Sequence, residues 1–449
     1  MDIVKLSKAK VLIIIFCLFF VLGPLAGAQD LSRYLNPTSG KALFVSQETG
    51  KNSNPGTKEQ PFKNIDKALK IAQSGDTIIV AAGVYMGTFN VGYLECDKAV
   101  KLYGGFSTDF SERDIINHPT LFQPDNASGA KSRKAMLKFT REIDGVVVDG
   151  FVFDMGERNS YSPDEGKPEN VETGMLLLPP SKAPGQNATV TEPILSVPSA
   201  AQGGDILIQN NLFVNGSNFG IQLGLREGTC RIINNVFVAN RMAAVEVYGT
   251  CPNRGGPNSL PKCGSVEFAY NTVLFTWSRL KDFLDMGYGF RIMTKLEYNI
   301  HHNIFGGNIL GGIDHTRFNN SEWVKIDNNI FFVNKKSDLW YSPASNTSLD
   351  LRAEQFEDLE IASVQENKEE IPAGIKVDPG YLEGFLNARY SEQADFDRNS
   401  PANQWRSILG MNLQGKLTTQ VSMFANRYPW KKAMELFGAV SGVGVQTVK

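Results

Sequence analysis

The sequence predicts an all-β solenoid, in which one short unit of strands is repeated along the chain. The region from Ile206 to Ser342 contains five similar units, each with short runs of alternating apolar residues, and alternation with a period of two is typical of β-strands. An asparagine marks the same place in each unit, at Asn211, Asn235, Asn271, Asn303 and Asn329. These asparagines are 24, 36, 32 and 26 residues apart, and spacings of roughly 20–50 residues indicate a solenoid, a propeller or an array.

One unit reads as a strand, a bend marked by asparagine, a second strand, a looser loop and a third strand, which together make one coil of a parallel β-helix. Asparagine suits the bend because it tolerates left-handed backbone dihedrals, and stacked coils would place its amides in a ladder. The pattern resembles the right-handed parallel β-helix superfamily, the fold of pectate lyases and their relatives, over roughly residues 42–341. The resemblance implies the fold. It implies function much less specifically, because functional sites are grafted onto folds.

The N-terminus has the pattern of a secretory signal peptide over residues 1–28. Lys5, Lys8 and Lys10 precede an apolar run from Val11 to Leu22, and small residues follow at Ala26 to Ala28. The alternative is a membrane anchor, but the run is short for a span of roughly 20 residues. We expect cleavage near Gln29, a secreted or periplasmic protein, and no membrane span after cleavage.

The charge balance narrows the class of partner. The chain has 449 residues, with 45 Lys and Arg against 47 Asp and Glu, which argues against nucleic acid or an anionic membrane surface as the main partner. A polysaccharide, including an acidic one, needs only a local basic patch and remains open. One elongated solenoid can absorb the whole length, and we expect a monomer.

Residues 29–75 are predicted to form an N-terminal cap. Residues Pro61 to Ala72 read as an amphipathic helix, with apolar residues on one face at Phe62, Ile65, Ala68, Leu69 and Ala72. Such a helix would cover the open end of the first coil and block edge pairing. The β-helix is expected over residues 76–342, and an irregular C-terminal extension and cap over residues 343–449, with a short helix from Lys431 to Phe437. A calcium ion at Asp76 is an alternative without supporting ligands.

Five cysteines occur, one of them in the signal peptide. Cys251 and Cys263 bracket a loop rich in Gly, Pro and Asn, and a disulfide between them would staple that loop after secretion. Two free thiols are the alternative. Cys96 and Cys230 are expected to be buried and unpaired. Neither pair has the CxxC spacing of a zinc site, so a metal site of cysteines is excluded.

Alternation within the strands also predicts which side chains point outward. Ile221, Val245, Phe290, Ile313 and Leu339 fit the interior, so the residue after each should point out. These outward residues are Gln222, Glu246, Arg291, Asp314 and Trp340. Because adjacent coils lie about 4.8 Å apart, the five should form one solvent-facing column, which we call the Arg291 column.

The Arg291 column is the predicted functional site. In the superfamily this face binds and cleaves saccharides, and a lyase for uronic acids needs a cation and a base. The candidate catalytic residues are Arg291, Glu246 and Asp314, and the candidate substrate-binding residues are Gln222, Trp340 and Tyr248. Loops at residues 180–202 and 250–264 are expected to wall the groove. Replacing Arg291 by Ala should therefore impair glycan binding and leave folding intact.

Alternative interpretations stay open. Motifs of pectate lyases, mannuronan epimerases and polygalacturonases are absent, so the resemblance carries over no catalytic residue. The signs of Glu246, Arg291 and Asp314 alternate, as in a structural ion ladder. The functional hypotheses are a lyase or epimerase for an acidic glycan, a non-catalytic glycan-binding protein, and an adhesive surface protein. His315 is expected to be a packed histidine rather than a base, and His302 to occupy a bend position.

Overall fold

The computed structural model describes residues 30–87, 93–122, 135–154, 193–198, 204–248, 264–276, 286–315, 321–372 and 440–448, apart from residues 215, 217, 239, 241, 309, 335 and 345. The chain from Leu31 onward forms one compact unit, and Met1–Asp30 forms another. Among the described residues, no helix combines the length and the apolar character needed to cross a membrane.

Short β-strands make up most of the described chain. The first nine are β1 (Ala42–Val45), β2 (Thr77–Ala81), β3 (Gly83–Tyr85), β4 (Leu94–Cys96), β5 (Lys101–Phe106), β6 (Thr120–Phe122), β7 (Leu137–Phe139), β8 (Val146–Asp149) and β9 (Phe151–Asp154). The next nine are β10 (Leu195–Val197), β11 (Ile206–Gln209), β12 (Leu212–Val214), β13 (Phe219–Leu223), β14 (Thr229–Ile233), β15 (Val236–Val238), β16 (Ala243–Val247), β17 (Ser265–Ala269) and β18 (Thr272–Leu274). The last nine are β19 (Tyr288–Ile292), β20 (Glu297–His301), β21 (Ile304–Gly306), β22 (Gly311–His315), β23 (Val324–Asp327), β24 (Ile330–Phe332), β25 (Ser337–Tyr341), β26 (Leu349–Leu351) and β27 (Lys368–Glu369).

Three sheets of nine described strands each run the length of the solenoid. The first sheet has the order β1-β2-β5-β8-β11-β14-β17-β20-β23, the second β3-β6-β9-β12-β15-β18-β21-β24-β27, and the third β4-β7-β10-β13-β16-β19-β22-β25-β26. Successive coils contribute neighbouring strands, and all strand pairs are parallel except β25 with β26. The predicted all-β, right-handed parallel β-helix is confirmed, and its hand is the one that parallel crossover connections adopt.

The parallel pairing extends beyond the predicted residues 76–342 at both ends. Strand β1 pairs with β2 at the N-terminal side, and β27 pairs with β24 at the C-terminal side. Part of the predicted loop at residues 180–202 is also a strand, because β10 inserts between β7 and β13 of the third sheet. The apolar pair Leu195 and Val197 is fully buried and fills this coil.

The described helices are short. They are α1 (Ser32–Leu35), α2 (Ile65–Ile71) and two 3-10 helices, Ser321–Trp323 and Ala353–Asp358. Helix α2 begins four residues after Pro61, because Phe62 instead makes a parallel bridge with Val45. Its buried residues Ile65, Ala68 and Leu69 join the main hydrophobic core, as expected of a capping helix. The predicted helix at residues 431–437 lies outside the described residues.

The interior of the solenoid is filled by aligned apolar side chains. Phe153, Phe213 and Phe237 stack across three coils, with ring centroids 5.2 and 4.9 Å apart. Phe305 and Phe331 continue this arrangement at 5.3 Å. Identical side chains recur because parallel pairing in register brings equivalent residues of successive coils together, so each aromatic ring packs on the next.

The predicted asparagine ladder is present. Each ladder asparagine from Asn235 to Asn329 accepts hydrogen bonds from the backbone N–H and the side-chain amide of the asparagine in the preceding coil. Asn211 accepts instead from the N–H of Phe151. Each also donates its amide to a backbone carbonyl, as Asn271 does to Ile232 at 2.8 Å. Asn367 adds a further rung below Asn329. The ladder satisfies backbone groups that the bend removes from the sheets.

The left-handed residue of each bend is the one before the ladder asparagine. The positions are Asn210, Asn234, Tyr270, His302 and Asn328, with φ between 55° and 58°. The left-handed dihedral expected of the ladder asparagines therefore belongs to the residue before each of them, whereas the expected ladder of amides is confirmed. The expectation that His302 occupies a bend position is confirmed.

A second set of buried asparagines lies where the second sheet leads into the third. Asn240 accepts from the N–H of Gly216 at 2.9 Å and donates to Phe213. Asn308 accepts from Thr276 and donates to Asn334 at 2.8 Å. Each lies five residues after a ladder asparagine, and Gly216 and Thr276 occupy the same place in the other two units. Sequence reasoning missed this set, because asparagine recurs there in only three of the five units.

Both ends of the described chain are tied to the side of the solenoid. At the N-terminal end, the buried Arg113 binds Asp149 at 2.7 Å and Tyr34 of α1 at 3.0 Å. At the C-terminal end, the backbone N–H of Val445 donates to Thr272 at 2.9 Å, and that of Gly444 donates to the carbonyl of His302. Residues 440–448 thus lie against the flank of the coils, beside the second sheet.

His315 of β22 is fully buried, in agreement with the expectation of a packed histidine. Neither ring nitrogen has a hydrogen-bond partner in the structure, and the ring lies 5.5 Å from that of Tyr341. Burial lowers the pKa of His315 to about 4, against an opposing effect of the Asp314 carboxylate. The histidine is therefore neutral in the folded protein at pH 7.

We expect Asn271→Ala to destabilise the fold by about 2–5 kcal/mol, because it removes the hydrogen-bond partner of the buried N–H of Asn235 and that of the carbonyl of Ile232. Chemical denaturation measures the free energy of unfolding. Asn299→Ala removes an exposed side chain from β20 of the neighbouring coil and should cost less than about 0.5 kcal/mol. Equal losses from the two substitutions would contradict the structural role of the ladder.

We expect His315→Leu to reduce the loss of stability in acid. Between the unfolded pKa of about 6.5 and the folded value of about 4, only the unfolded state binds the proton, so stability falls as the pH falls. The loss of unfolding free energy that His315 causes approaches about 3 kcal/mol near pH 4. Burial raises the pKa of Asp338 to about 6. Between its unfolded pKa of about 4 and this value only the folded state holds the proton, so the stability that Asp338 contributes falls as the pH rises.

The difference between wild type and His315→Leu isolates the histidine, since Asp338 is common to both proteins. Unfolding free energies from pH 7 to pH 4 measure this difference. It should shift steadily in favour of the variant as the pH falls, and a difference independent of pH would show that His315 does not resist protonation.

Candidate functional site

The Arg291 column exists in the predicted register. Gln222 pairs with Glu246, Glu246 with Arg291, Arg291 with Asp314, and Asp314 with Trp340, on strands β13, β16, β19, β22 and β25. The five apolar residues that precede them are fully buried in the core. The alternation inferred from the sequence therefore sets the register of the third sheet.

Arg291 bridges the two carboxylates of the column. Its Nη1 donates to Oε2 of Glu246 at 2.6 Å, and its Nε donates to Oδ2 of Asp314 at 2.9 Å. Gln222 donates from Nε2 to the other oxygen of Glu246, at 2.9 Å. The three ionisable groups alternate in sign, as the ion-ladder interpretation predicts, and carry one net negative charge when all are ionised.

The expectation that this column faces solvent is wrong. Glu246 is 7% exposed, Arg291 is 4% exposed and Asp314 is fully buried. They point away from the core of the solenoid, yet are covered, and the half-buried Met286 contributes a sulfur 3.7 Å from Nη1 of Arg291. Strand alternation distinguishes inside from outside of the solenoid but does not reveal what lies over the outer face.

Burial changes the acid–base chemistry of Glu246. Burial raises the pKa of its carboxyl, and the nearby Asp314 acts in the same direction, while Arg291 and the hydrogen bond from Gln222 oppose the shift. Such a carboxyl, held by a guanidinium, accepts a proton more readily than an exposed one. Glu246 is thus a better candidate base than Arg291, because a guanidinium stays protonated.

The predicted substrate-binding residues lie at the edges of this cluster. Trp340 is partly exposed and stacks on Tyr288 with ring centroids 5.6 Å apart and planes within 8°. Nζ of Lys336 lies 4.9 Å from the centre of the Trp340 ring. The indole Nε1 of Trp340 is buried and has no hydrogen-bond partner among the described residues. Tyr248 is half-buried, and its backbone N–H donates to Leu223. Protein groups thus already contact the indole that was expected to stack on a sugar.

Several predicted features lie outside the described residues. They are Cys251, Cys263 and the loop between them, and most of the loop at residues 180–202. The other two cysteines, Cys96 and Cys230, are buried and free as expected. Asp76 accepts hydrogen bonds from the backbone N–H groups of Lys41 and Gln73, each at 2.9 Å, so its carboxylate closes a turn. The described residues contain no group of three or more His, Cys, Asp or Glu arranged to hold a metal.

A second candidate site lies on the outer face of the first sheet, where sequence reasoning placed nothing. A groove of about 500 Å³ crosses the coils of β14, β17, β20 and β23. Its polar and aromatic lining includes Glu267, Glu297, Asn299, Glu322, Trp323 and Lys325. At the side of the groove, Nε2 of His301 lies 3.5 Å from Oε1 of Glu267, and its Nδ1 lies 2.9 Å from Nδ1 of His302. We call this feature the Trp323 groove.

Comparisons with known proteins follow the fold. Residues 48–111 match a family described as a protein of unknown function (DUF1565), and no curated protein matches the chain. Among solved structures, the chain is similar to a complex of XylC with xylose (12% identity, TM-score 0.41, covering 66% of this chain and 63% of that one). It therefore spans less than two thirds of the length of that protein.

Two further structures have similar statistics. One is a rhamnogalacturonan lyase (12% identity, TM-score 0.39, covering 75% of this chain and 91% of that one). The other is the pectate lyase Pel9A (13% identity, TM-score 0.32, covering 67% and 71%). Likenesses at such identities concern the fold alone and assign no activity. From its own sheets and ladders, the chain is a right-handed parallel β-helix protein.

Proposed function

We propose that the protein is secreted and acts on a polysaccharide across the third sheet, as a lyase or epimerase of an acidic glycan. The observation that carries the proposal is the contact of Glu246, whose pKa is raised, with Arg291. A carboxyl perturbed by burial beside a specific charge partner is a candidate functional group. The signal-like N-terminus supports secretion.

The proposed chemistry begins with proton abstraction. Glu246 would remove the proton next to the carboxylate of a uronic acid, and the electrons of the broken C–H bond would enter the carboxylate as an enolate. In a lyase these electrons then form a C=C bond and expel the glycosidic oxygen, which takes a proton from water and leaves as a hydroxyl group. In an epimerase the carbon regains a proton from water on its other face, and in both reactions Glu246 returns its proton to solvent.

Arg291 has a defined part in this scheme. Once Glu246 is protonated, Arg291 loses one of its two anionic partners and keeps Asp314. Its charge can then stabilise the enolate in a site of low dielectric. Gln222 would hold the Glu246 carboxyl in place through its hydrogen bond.

A non-catalytic or adhesive glycan-binding β-helix is the second candidate, and the saturation of Arg291 favours it. Both carboxylates already neutralise the guanidinium, and the cluster is almost fully buried. A group in this state contributes to an ion ladder without touching a ligand. Turnover distinguishes the two candidates, because only the enzyme forms an unsaturated or epimerised product.

We expect Glu246→Gln to lower turnover by at least about a hundredfold, because the amide keeps the shape of the side chain and cannot act as base. Unsaturated products from pectate, alginate and glycosaminoglycans are followed by ultraviolet absorbance, with and without calcium, and epimerised products by NMR. Glu95→Gln is the matched control, since Glu95 is exposed in β4 of the same sheet. Absence of product from the wild type on all these polymers would refute the enzymatic proposal.

We expect Arg291→Ala to destabilise the protein by about 3–5 kcal/mol, because it leaves Glu246 and Asp314 together as buried carboxylates. This replaces the expectation from sequence that folding stays intact. Denaturant unfolding measures the loss, and Lys138→Ala, at a half-buried lysine of the same sheet, is the control. A variant with unchanged stability would show that the cluster is open to solvent.

A further inference from the structure

We propose that the Trp323 groove is a second saccharide-binding site, and that its ligand is an oligosaccharide carrying positively charged amino groups. This site lies on the first sheet, whereas the Arg291 column lies on the third. The inference is therefore independent of the reaction proposed for Glu246.

The shape of the groove suits a short polymer. It crosses four neighbouring strands, which span roughly 14 Å at the usual separation of strands. Its volume of about 500 Å³ lies within the range of ligand-binding clefts. Its floor consists of paired residues of successive coils, with Thr229, Ser265 and Glu297 in one row. Such a floor is regular and offers similar contacts at each coil.

The charge of the lining selects the class of saccharide. The described lining of the groove includes three glutamates, Glu267, Glu297 and Glu322, and one lysine, Lys325, so these side chains sum to a formal charge of −2. Arg231 of β14 is the strand-register neighbour of Glu267 in β17, but it is not part of the groove lining. A polymer of uronic acids would be repelled, while ammonium groups would be attracted by the carboxylates. Asn299 is exposed and adds both a donor and an acceptor for sugar hydroxyls.

Trp323 supplies the aromatic surface. It ends the 3-10 helix Ser321–Trp323, immediately before β23, and is partly exposed at the groove. The next residue, Val324, pairs in register with Tyr298 of β20, so the backbone immediately after Trp323 is fixed by the sheet. An indole offers a large apolar face with little conformational freedom to lose, and it also attracts cations placed over its ring. Both properties suit an amino sugar.

The test compares the binding of three oligosaccharides of equal length, dissolved in the same buffer at the same pH. Isothermal titration calorimetry measures each affinity. Oligomers of glucosamine should bind more tightly than uncharged cello-oligosaccharides, and oligogalacturonates should bind least. Added salt should weaken the binding of glucosamine oligomers, since the attraction is electrostatic. Trp323→Ala should weaken it at least about tenfold, as loss of an aromatic anchor does.

Charge reversal provides the second arm. The double variant Glu297→Lys with Glu322→Lys should invert the preference toward oligogalacturonates. The double variant Glu48→Lys with Glu59→Lys, at two exposed glutamates outside the groove, is the charge-matched control and should change nothing. Circular dichroism confirms that each variant is folded.

Three results would overturn the proposal. They are no binding of glucosamine oligomers by the wild type, tighter binding of oligogalacturonates by the wild type, and unchanged binding by both groove variants. Glu246→Gln should retain the binding of glucosamine oligomers in full, so a failure of the third-sheet proposal and a failure of this one give different results.

Discussion

The fold depends on what happens to backbone hydrogen bonds at the sharp bend between the first and second sheets. The bend turns the chain through a single left-handed residue, such as Tyr270 or His302, and takes the next residue out of the strands. Its N–H and the carbonyl before it are buried, where an unpaired group costs about 1–3 kcal/mol. The side chain of each ladder asparagine accepts from the N–H of the equivalent asparagine in the preceding coil and donates to a carbonyl of that coil, as Asn271 does for Asn235 and Ile232. Each coil therefore depends on the next one.

This dependence explains which features of the fold were readable from sequence. The ladder demands one residue type, so Asn235 and Asn271 recur and set the register of the coils. Alternation then assigns inside and outside, and both inferences are confirmed by strands such as β14 and β17. By contrast, β10 was read as loop, because it is short and lies between segments without the repeat. The second set of asparagines follows the ladder by a constant five residues, and it was missed because Gly216 and Thr276 replace asparagine in two of the five units.

The candidate sites were predicted less completely, for a different physical reason. The strand pattern predicts that Glu246, Arg291 and Asp314 share one column, and the structure has this column. It carries no information on what covers that column, so their burial and the raised pKa of Glu246 were not anticipated. The Trp323 groove depends on a short 3-10 helix beside a strand and on residues from four coils. Its only sequence signal is a tryptophan just before a strand, among outward glutamates.

The two faces illustrate how a β-helix separates stability from recognition. On the third sheet, charges of successive coils neutralise one another at 2.6 and 2.9 Å and are withdrawn from water. Changing one of them therefore perturbs the fold as well as any chemistry. On the first sheet, Glu297, Asn299 and Lys325 are exposed, whereas their inward neighbours pack in the core. Substitutions there alter the charge of the groove at little cost to folding, so the first sheet is the face on which specificity for a ligand can change most freely.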